Sequence, residues 1–479
     1  MFVLYKRCQA ARLLSIIALV MSVASVRADT LADALIGAYS HSGLLEQNRA
    51  LLRVADENVA QAQAALRPIL TYQTTIQSTW TQNGTYTTDF LTGVRTLSRT
   101  TTDTAIYQTS LNAQWLLFDN GASRFRSEAA KEAVLSTRAQ LLSLEQQVLI
   151  RAVAAFFNVR QASETVALRQ NNLRLLTEEM RAAKDRFEVG EVTRTDVALA
   201  EARLAQARSG LATAQGDLLQ AQAEYTAVTG RSPGQLAPPP RLPKLINNID
   251  AAISQAVRRH PDMDAAQRLV SQTELLIKAA TADLDPTLSL TGQLSSTEQL
   301  SSSSFSSSGT VGLNLSGPIY RGGRLSSLVR QARAQRDAQR GNLHNVRHVV
   351  QQNVRNALAN VASTTASIEA SQEQIRAARV AFRGVREEAT LGARTTLDVL
   401  DAEQELLNAQ AALITAEAQQ YIAAYTVLQS IGRLTARDLR LNVKIYDPKA
   451  YYDLVKDGPA ARSKQGAQLD RVLRKLYPD

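Results

Sequence analysis

The chain has 479 residues, a formal net charge of +10 and a single cysteine, Cys8. The basic surplus is mild and lacks interleaved aromatic residues, so it does not indicate nucleic-acid binding. Cys8 precedes a short apolar run near the N-terminus, and cleavage after that run would remove it. The exported chain would then have no disulfide, no thiol nucleophile and no cysteine metal ligand.

The first predicted element is a cleaved signal peptide, residues 1–28. A basic start is followed by the apolar run LLSIIALVMSVASV, which is too short to be a good membrane span. The sequence Val26-Arg27-Ala28 is an acceptable cleavage site, so Asp29 would begin the mature chain. Loss of the four basic residues of the signal lowers the net charge from +10 to +6.

The rest of the chain is predicted to contain two copies of one unit. Gly190 and Gly392 are 202 positions apart, and the same spacing separates Asp196 from Asp398. Each copy has a helix, two strands, a very long helix, a turn with the pattern Gly-x-x-Thr-x-x-Asp-Val and a returning helix.

These landmarks set the predicted boundaries, which are approximate inside each repeat. Repeat 1 covers 29–230, with strands at about 69–117, a long helix at about 122–189 and a returning helix at about 195–229. A proline-rich linker, 231–245, precedes repeat 2. Repeat 2 covers 246–440, with strands at about 286–319, a long helix at about 324–391 and a returning helix at about 396–431. The basic tail, 441–479, is interpreted as peripheral and partly disordered.

The predicted strands alternate between apolar and small polar residues. In the segment 105–117, Tyr107, Leu111 and Trp115 share one face, whereas Gln108 and Asn112 lie on the other. A transmembrane barrel wall between lipid and water has this pattern. A soluble sheet with one solvent-exposed face shows the same alternation. The export signal and the long helices favour the barrel.

Four strands cannot close a transmembrane barrel, because such barrels need at least about eight. An open sheet in lipid would leave backbone groups unpaired. Other subunits must therefore supply strands, and cyclic symmetry is the natural arrangement. Three copies would give twelve strands and two copies would give eight. The strand count alone allows either number of subunits.

The long helices indicate coiled packing rather than a globular core. Proline and glycine are absent from Ser123 to Val189, and about 67 helical residues would span roughly 100 Å. Ala, Leu, Gln, Glu and Arg dominate these segments, as in long bundled helices. Beneath a barrel, such helices would form a hollow conduit. The predicted fold class is thus an α+β membrane protein.

The two Gly/Thr/Asp turns carry the candidate functional residues. Gly190 and Gly392 are predicted to end the long helices in the left-handed conformation. Asp196 and Asp398 fall in the first turns of the returning helices, after candidate N-caps that are all threonines: Thr193, Thr195, Thr395 and Thr396. Capping does not explain Asp401, which shares a helix face with Asp398. In a cyclic oligomer both acids would form rings, as in cation-selective pores.

At these residues the chain resembles the TolC family of outer-membrane efflux and secretion channels. The similar sequence segments are RFEVGEVTRTDV and LGARTTLDVLDA at the turns, and LFDNG and IYRGG at the strand-to-helix junctions. The resemblance implies a homotrimer with a 12-stranded barrel in outer-membrane lipid and a helical tunnel in the periplasm. It implies the exit duct of a tripartite efflux pump or type I secretion system. Its partners would be a periplasmic adaptor and an inner-membrane RND or ABC transporter.

The resemblance also implies residue roles. Asp398 and Asp401 match acidic rings at the pore entrance. Arg394 matches a basic residue that binds a neighbouring subunit, with Thr195 and Asp196 as its partners. The turns at Gly190 and Gly392 would dock the adaptor. Ala389 replaces a tyrosine of the family's type member, which removes one closing hydrogen bond.

The alternative is a non-pore periplasmic coiled-coil adaptor or structural protein. An adaptor normally has one helical hairpin, whereas this chain has two hairpins and two strand pairs. An enzyme is not predicted, because no catalytic, cofactor-binding or metal-binding motif is apparent.

Overall fold

The computed structural model describes residues 28–246, 248–459 and 463–476. The predicted signal peptide lies outside the described residues except for Ala28. The helices are α1 (Leu31–His41), α2 (Gly43–Ala64), α3 (Ala122–Glu188), α4 (Arg194–Thr229), α5 (Ile249–Arg259), α6 (Pro261–Ala282), α7 (Arg324–Thr390), α8 (Thr396–Ser430), α9 (Ala450–Val455) and α10 (Lys464–Leu476). The strands are β1 (Ile69–Thr88), β2 (Arg95–Phe118), β3 (Thr287–Gln299) and β4 (Phe305–Ser316).

Both halves of the chain contain the same elements in the same order. A pair of helices precedes a strand pair, a 67-residue helix and a returning helix of 36 or 35 residues. The long helix α7 tolerates Gly341 and Gly384, whose surroundings are open. None of the helices in the described ranges combines the length and apolar character that a membrane crossing requires.

The chain forms two compact units. The first comprises the described residues up to Gln47, Leu141–Pro261 and Arg347–Tyr446. The second comprises Asn48–Gln140, Asp262–Val346 and the described residues from Asp447 onward. The helical turns with the candidate functional residues belong to the first unit, and the sheet belongs to the second.

In the first unit, aromatic residues and alanines form the core. The rings of Phe157 and Tyr421 stack with centroids 4.6 Å apart, and Phe156 meets Phe157 edge to face. Tyr225 of α4 is fully buried. Alanines such as Ala152 and Ala424 are buried along the same helices and let their backbones approach closely. Such contacts stabilise long helices that intrinsic propensity alone would leave marginal.

In the second unit, the four strands form one antiparallel sheet in the order β1-β2-β3-β4. Ile69 pairs with Gln114 at one end of the β1–β2 ladder, and Thr88 pairs with Arg95 at the other. The β2–β3 ladder contains an irregularity between Leu116 and Phe118. The prediction of a four-stranded sheet in a mostly helical chain is confirmed.

The strand register aligns most of the apolar residues of the four strands on one face. Tyr72 lies opposite Leu111, which lies opposite Leu294. A second row contains Trp115, Leu290 and Leu313. The opposite face has rows of small polar residues: Gln73, Ser110, Ser295 and Ser308, and next to them Thr71, Asn112, Gln293 and Thr310. Since successive side chains of a strand alternate between faces, one sheet face is apolar and the other polar.

The apolar face of this sheet is exposed in the single chain. Exposed fractions are 81% for Tyr72, 77% for Trp80 and 83% for Val311. A contiguous apolar surface of this kind marks contact with a membrane or a partner.

The interpretation of the C-terminal tail as peripheral and partly disordered is wrong for residues 450–458. Helix α9 packs with Val455 fully buried. The Tyr451 hydroxyl donates a 2.6 Å hydrogen bond to Glu57, and the carbonyl of Gly458 accepts one from Arg67. A six-residue helix is too short to show a clear periodicity, so its packing was not visible in the sequence pattern.

Candidate functional site

The two turns that join the long and returning helices have the same backbone geometry. Gly190 and Gly392 adopt left-handed φ angles of 82° and 78°. The N–H of Gly392 donates to Ala389 and the N–H of Ala393 donates to Glu388, which forms a Schellman motif. The corresponding bonds at Gly190 are identical in pattern. Glycine is required here because a Cβ would strain the left-handed conformation.

A capping box starts each returning helix. Thr395 caps α8: its N–H and hydroxyl donate to Asp398 Oδ2 at 3.0 and 2.8 Å, and its Oγ1 accepts from the Asp398 N–H. Thr193 and Asp196 form the same box at α4. Of the four candidate threonine caps, Thr193 and Thr395 are therefore the caps. Thr195 lies inside the first turn of α4.

These caps lower the pKa of both aspartates. The backbone N–H of Thr395, followed by its hydroxyl, lowers the pKa of Asp398. The hydroxyl of Thr193 lowers the pKa of Asp196 in the same way. Both carboxylates are therefore held ionised by groups of their own turn.

Within the chain, Arg394 binds Glu388. Its Nε donates a 2.9 Å hydrogen bond to Glu388 Oε2, and this contact raises the pKa of the guanidinium. Both side chains are about half exposed. Arg394, Thr193 and Asp196 line one cleft of about 740 Å³ between the two turns. The structure thus brings Asp196 and Arg394 to the same cleft, whereas Thr195 does not line it.

Asp401 forms an ion pair that the sequence analysis did not anticipate. Nη2 of Arg203 on α4 donates to Asp401 Oδ1 on α8 at 2.6 Å. The Arg203 side chain is 30% exposed and that of Asp401 57% exposed. The repeat pattern carries no signal for this pair. At the 202-residue offset, Leu199 stands in place of Asp401 and Glu405 in place of Arg203.

A second missed residue, Glu403, is buried near this ion pair. Only 6% of Glu403 is exposed. Its Oε1 accepts a 2.7 Å hydrogen bond from Asn172 of α3, whereas Oε2 has no hydrogen-bond partner in the described part of the chain. Burial raises the pKa of this carboxyl to about 7. A buried acid with one unsatisfied oxygen is costly when ionised.

A small apolar cluster joins α3, α4 and α8 beside these polar contacts. Its buried members are Leu176, Leu204, Ala207 and Leu400, and Leu173 and Met180 pack against them. We call this group the three-helix cluster. Arg386 of α7 adds a 3.1 Å ion pair to Glu179 of α3. The first hairpin is therefore linked to the second by apolar and polar contacts within one chain.

In residues 28–246, 248–459 and 463–476, no group of three His, Cys, Asp or Glu side chains could hold a metal ion. Asp196 and Asp398 accept hydrogen bonds from their capping threonines, and Asp401 pairs with Arg203. The site therefore contains one charged contact within a turn, Arg394–Glu388, and one between two helices, Arg203–Asp401.

Comparisons with known proteins identify the family. The family described as "Outer membrane efflux protein" matches residues 38–231 and 252–433. The outer membrane efflux protein BepC of Brucella suis biovar 1 (strain 1330) is 36% identical over 466 residues, 95% of this chain and 97% of BepC. The outer membrane protein TolC of Escherichia coli (strain K12) is 25% identical over 355 residues, 69% of this chain and 70% of TolC.

A solved structure shares the fold. The structure of CusC matches with a TM-score of 0.72 at 19% identity and covers 85% of this chain and 92% of the CusC chain. The family match extends over both repeats, which favours a channel over a non-pore adaptor. The chain therefore belongs to the outer membrane efflux protein family, the family of TolC, whose members are exit ducts of the outer membrane for efflux and secretion.

Proposed function

We propose that three copies of this chain form one gated conduit, with a 12-stranded barrel in outer-membrane lipid. The observation that supports it most directly is the strand register, which places most of the apolar residues of four strands on one exposed face. β1 and β4 end the sheet order, so each has an edge that pairs with no strand in the described part of the chain. Strands of neighbouring subunits would satisfy those edges in lipid.

The polar face supports a water-filled interior. Rows of Gln, Asn, Ser and Thr cross all four strands on the face opposite the apolar one. A barrel with lipid outside and water inside needs this distribution. Three subunits give twelve strands, and the eight strands of two subunits enclose an interior that side chains largely fill. A conduit for solutes therefore favours the trimer.

The conduit lies in the outer membrane of a Gram-negative bacterium and extends into the periplasm, as befits its family. TolC-family proteins work with periplasmic adaptors and inner-membrane transporters in pumps and secretion systems. For this chain we place the adaptor contact at the turns of Gly190 and Gly392. Energy would come from an RND or ABC transporter, and the duct itself would conduct passively drugs, detergents or secreted protein.

The gate is proposed at the same turns. In the closed trimer, Arg394 would bind Thr195 and Asp196 of a neighbouring subunit. The capping box uses Oδ2 of Asp196, and a carboxylate has a second oxygen that can accept a charge-assisted bond. A bound adaptor and transporter would favour the open state by binding it more tightly than the closed state.

Replacing Arg394 by serine should raise the single-channel conductance in planar bilayers several-fold, because one charged contact per subunit interface is lost. The matched control is Arg379→Ser, which removes an exposed arginine of α7 away from the turn. Unchanged conductance of Arg394→Ser, or an equal rise in the control, would contradict the gate.

Replacing both Asp398 and Asp401 by asparagine should weaken the cation selectivity of the pore and its block by multivalent cations, because each subunit loses two negative charges at the entrance. Asparagine keeps the size and the accepting oxygen, so the cap of α8 can still form. Reversal potentials in a salt gradient give the selectivity. Asp217→Asn, on α4 away from the turns, provides the charge control. Full retention of selectivity and block by the double variant would rule out the acidic rings.

A further inference from the structure

The two proposed entrance acids differ in the origin of their partners. Asp398 is held by Thr395, which precedes it on the same turn, so the bond travels with α8. Asp401 is held by Arg203, which belongs to α4 of the other hairpin. Any motion that separates α4 from α8 therefore leaves the cap of Asp398 intact and removes the counter-charge of Asp401.

The guanidinium of Arg203 is positioned for this contact by its own helix. Its Nη1 donates to Gln206, one turn along α4, at 3.2 Å. The next residue, Leu204, is buried in the three-helix cluster with Leu400, the residue before Asp401. The apolar packing of Leu204 and Leu400 thus fixes the distance between the two charges. Loss of this packing would break the ion pair.

The exposure of the pair suits a reversible contact. Ion pairs at partly exposed sites contribute little to stability, because water screens the charges and two long side chains lose freedom. The Arg203–Asp401 pair therefore does not hold the hairpins together by itself. Its effect on the local field is larger, since an opposite charge at 2.6 Å cancels most of the attraction of Asp401 for a passing cation.

We propose that Arg203 controls the charge of the pore entrance. While α4 and α8 are packed, Asp401 is compensated and Asp398 is the acid that attracts cations. When α4 and α8 separate, Asp401 becomes a second acid of the ring, so the open entrance binds cations more tightly than the closed one. This inference rests on the proposed function, because it requires the turns to surround a conducting pore.

The test uses full-length trimer in planar bilayers, with a trivalent metal–ammine cation added to the side of the helical turns. Arg203→Met should tighten block about tenfold, since it exposes one charge per subunit. Arg203→Lys should behave like the wild type, because it keeps the positive charge. Arg203→Met combined with Asp401→Asn should block no more tightly than Asp401→Asn alone.

A net-charge control separates this effect from general electrostatics. Arg208→Met removes an exposed arginine of the same helix, one and a half turns further on. Equal tightening by Arg208→Met would overturn the proposal, as would unchanged block by Arg203→Met. If the wild-type protein conducts but substitution of Arg203 leaves the block unchanged, this inference alone is refuted. A wild-type protein that never conducts would refute the proposed function.

Discussion

Replacing Arg138 by methionine should lower the free energy of unfolding by up to about 3 kcal/mol at about pH 8, because it leaves a buried carboxylate without its counter-ion. Asp56 of α2 is fully buried, and its Oδ1 lies 3.7 Å from Nη2 of Arg138 on α3. Among the residues that the structure describes, neither oxygen of Asp56 has a hydrogen-bond partner. The guanidinium also faces the ring of Tyr452 in the C-terminal segment, 5.2 Å from the ring centroid.

The loss of stability caused by Arg138→Met should depend on pH. Burial raises the pKa of Asp56 from 3.8 to about 6, although Arg138 lowers it in part. Without Arg138 the pKa would rise further, so Asp56 would bind a proton at mildly acidic pH and avoid the buried charge. The folded state then binds more protons than the unfolded state, and stability falls as pH rises through this range. The destabilisation should therefore be smaller at about pH 5 than at about pH 8.

Guanidinium unfolding of the protein in detergent, followed by far-UV circular dichroism at both pH values, measures this effect. Adding Asp56→Asn to Arg138→Met should restore most of the stability at the higher pH, because no charge remains buried. The same loss at both pH values, or no recovery in the double variant, would show that Arg138 stabilises this region by packing rather than by charge.

Replacing Glu403 by glutamine should raise the free energy of unfolding by up to about 3 kcal/mol at about pH 8. At about pH 5 the same substitution should change the free energy of unfolding little. The pKa of Glu403 is raised from 4.5 to about 7 by burial. Because this folded-state pKa exceeds the unfolded value, the wild type should lose stability as pH rises from 4.5 through about 7. Glutamine carries no charge to bury and can still accept the hydrogen bond from Asn172.

Polar and charged groups of neighbouring helices shift the pKa of Glu403. Asn172 lowers the pKa of Glu403 through its hydrogen bond, Glu179 of α3 raises it, and Arg386 of α7 lowers it. Arg169 of α3 and Arg203 of α4 line the same cavity as Glu403. The matched control is Glu405→Gln, an exposed position on the same helix. If the unfolding midpoint of the wild type and of Glu403→Gln varies equally with pH, the assignment to Glu403 is wrong.

Local features could be predicted because their causes lie close together in the chain. The turn at Gly392 needs a left-handed residue, a threonine cap and an acid at the third helical position, all within seven residues. The same reasoning predicted the turn at Gly190. The strands followed from period-two alternation, and the long helices from the absence of proline and the rarity of glycine.

The sequence by itself thus determined the repeat, the kinds of element and the chemistry of the turns. Only the tertiary structure decided which distant residues meet. Arg203 and Asp401 are 198 positions apart, Asn172 and Glu403 are 231 apart, and Glu57 and Tyr451 are 394 apart. No period or spacing encodes such partners, because they depend on how separate helices pack. Asp401 therefore had the sequence signature of a free pore acid, and the packing of α4 on α8 supplies its counter-charge.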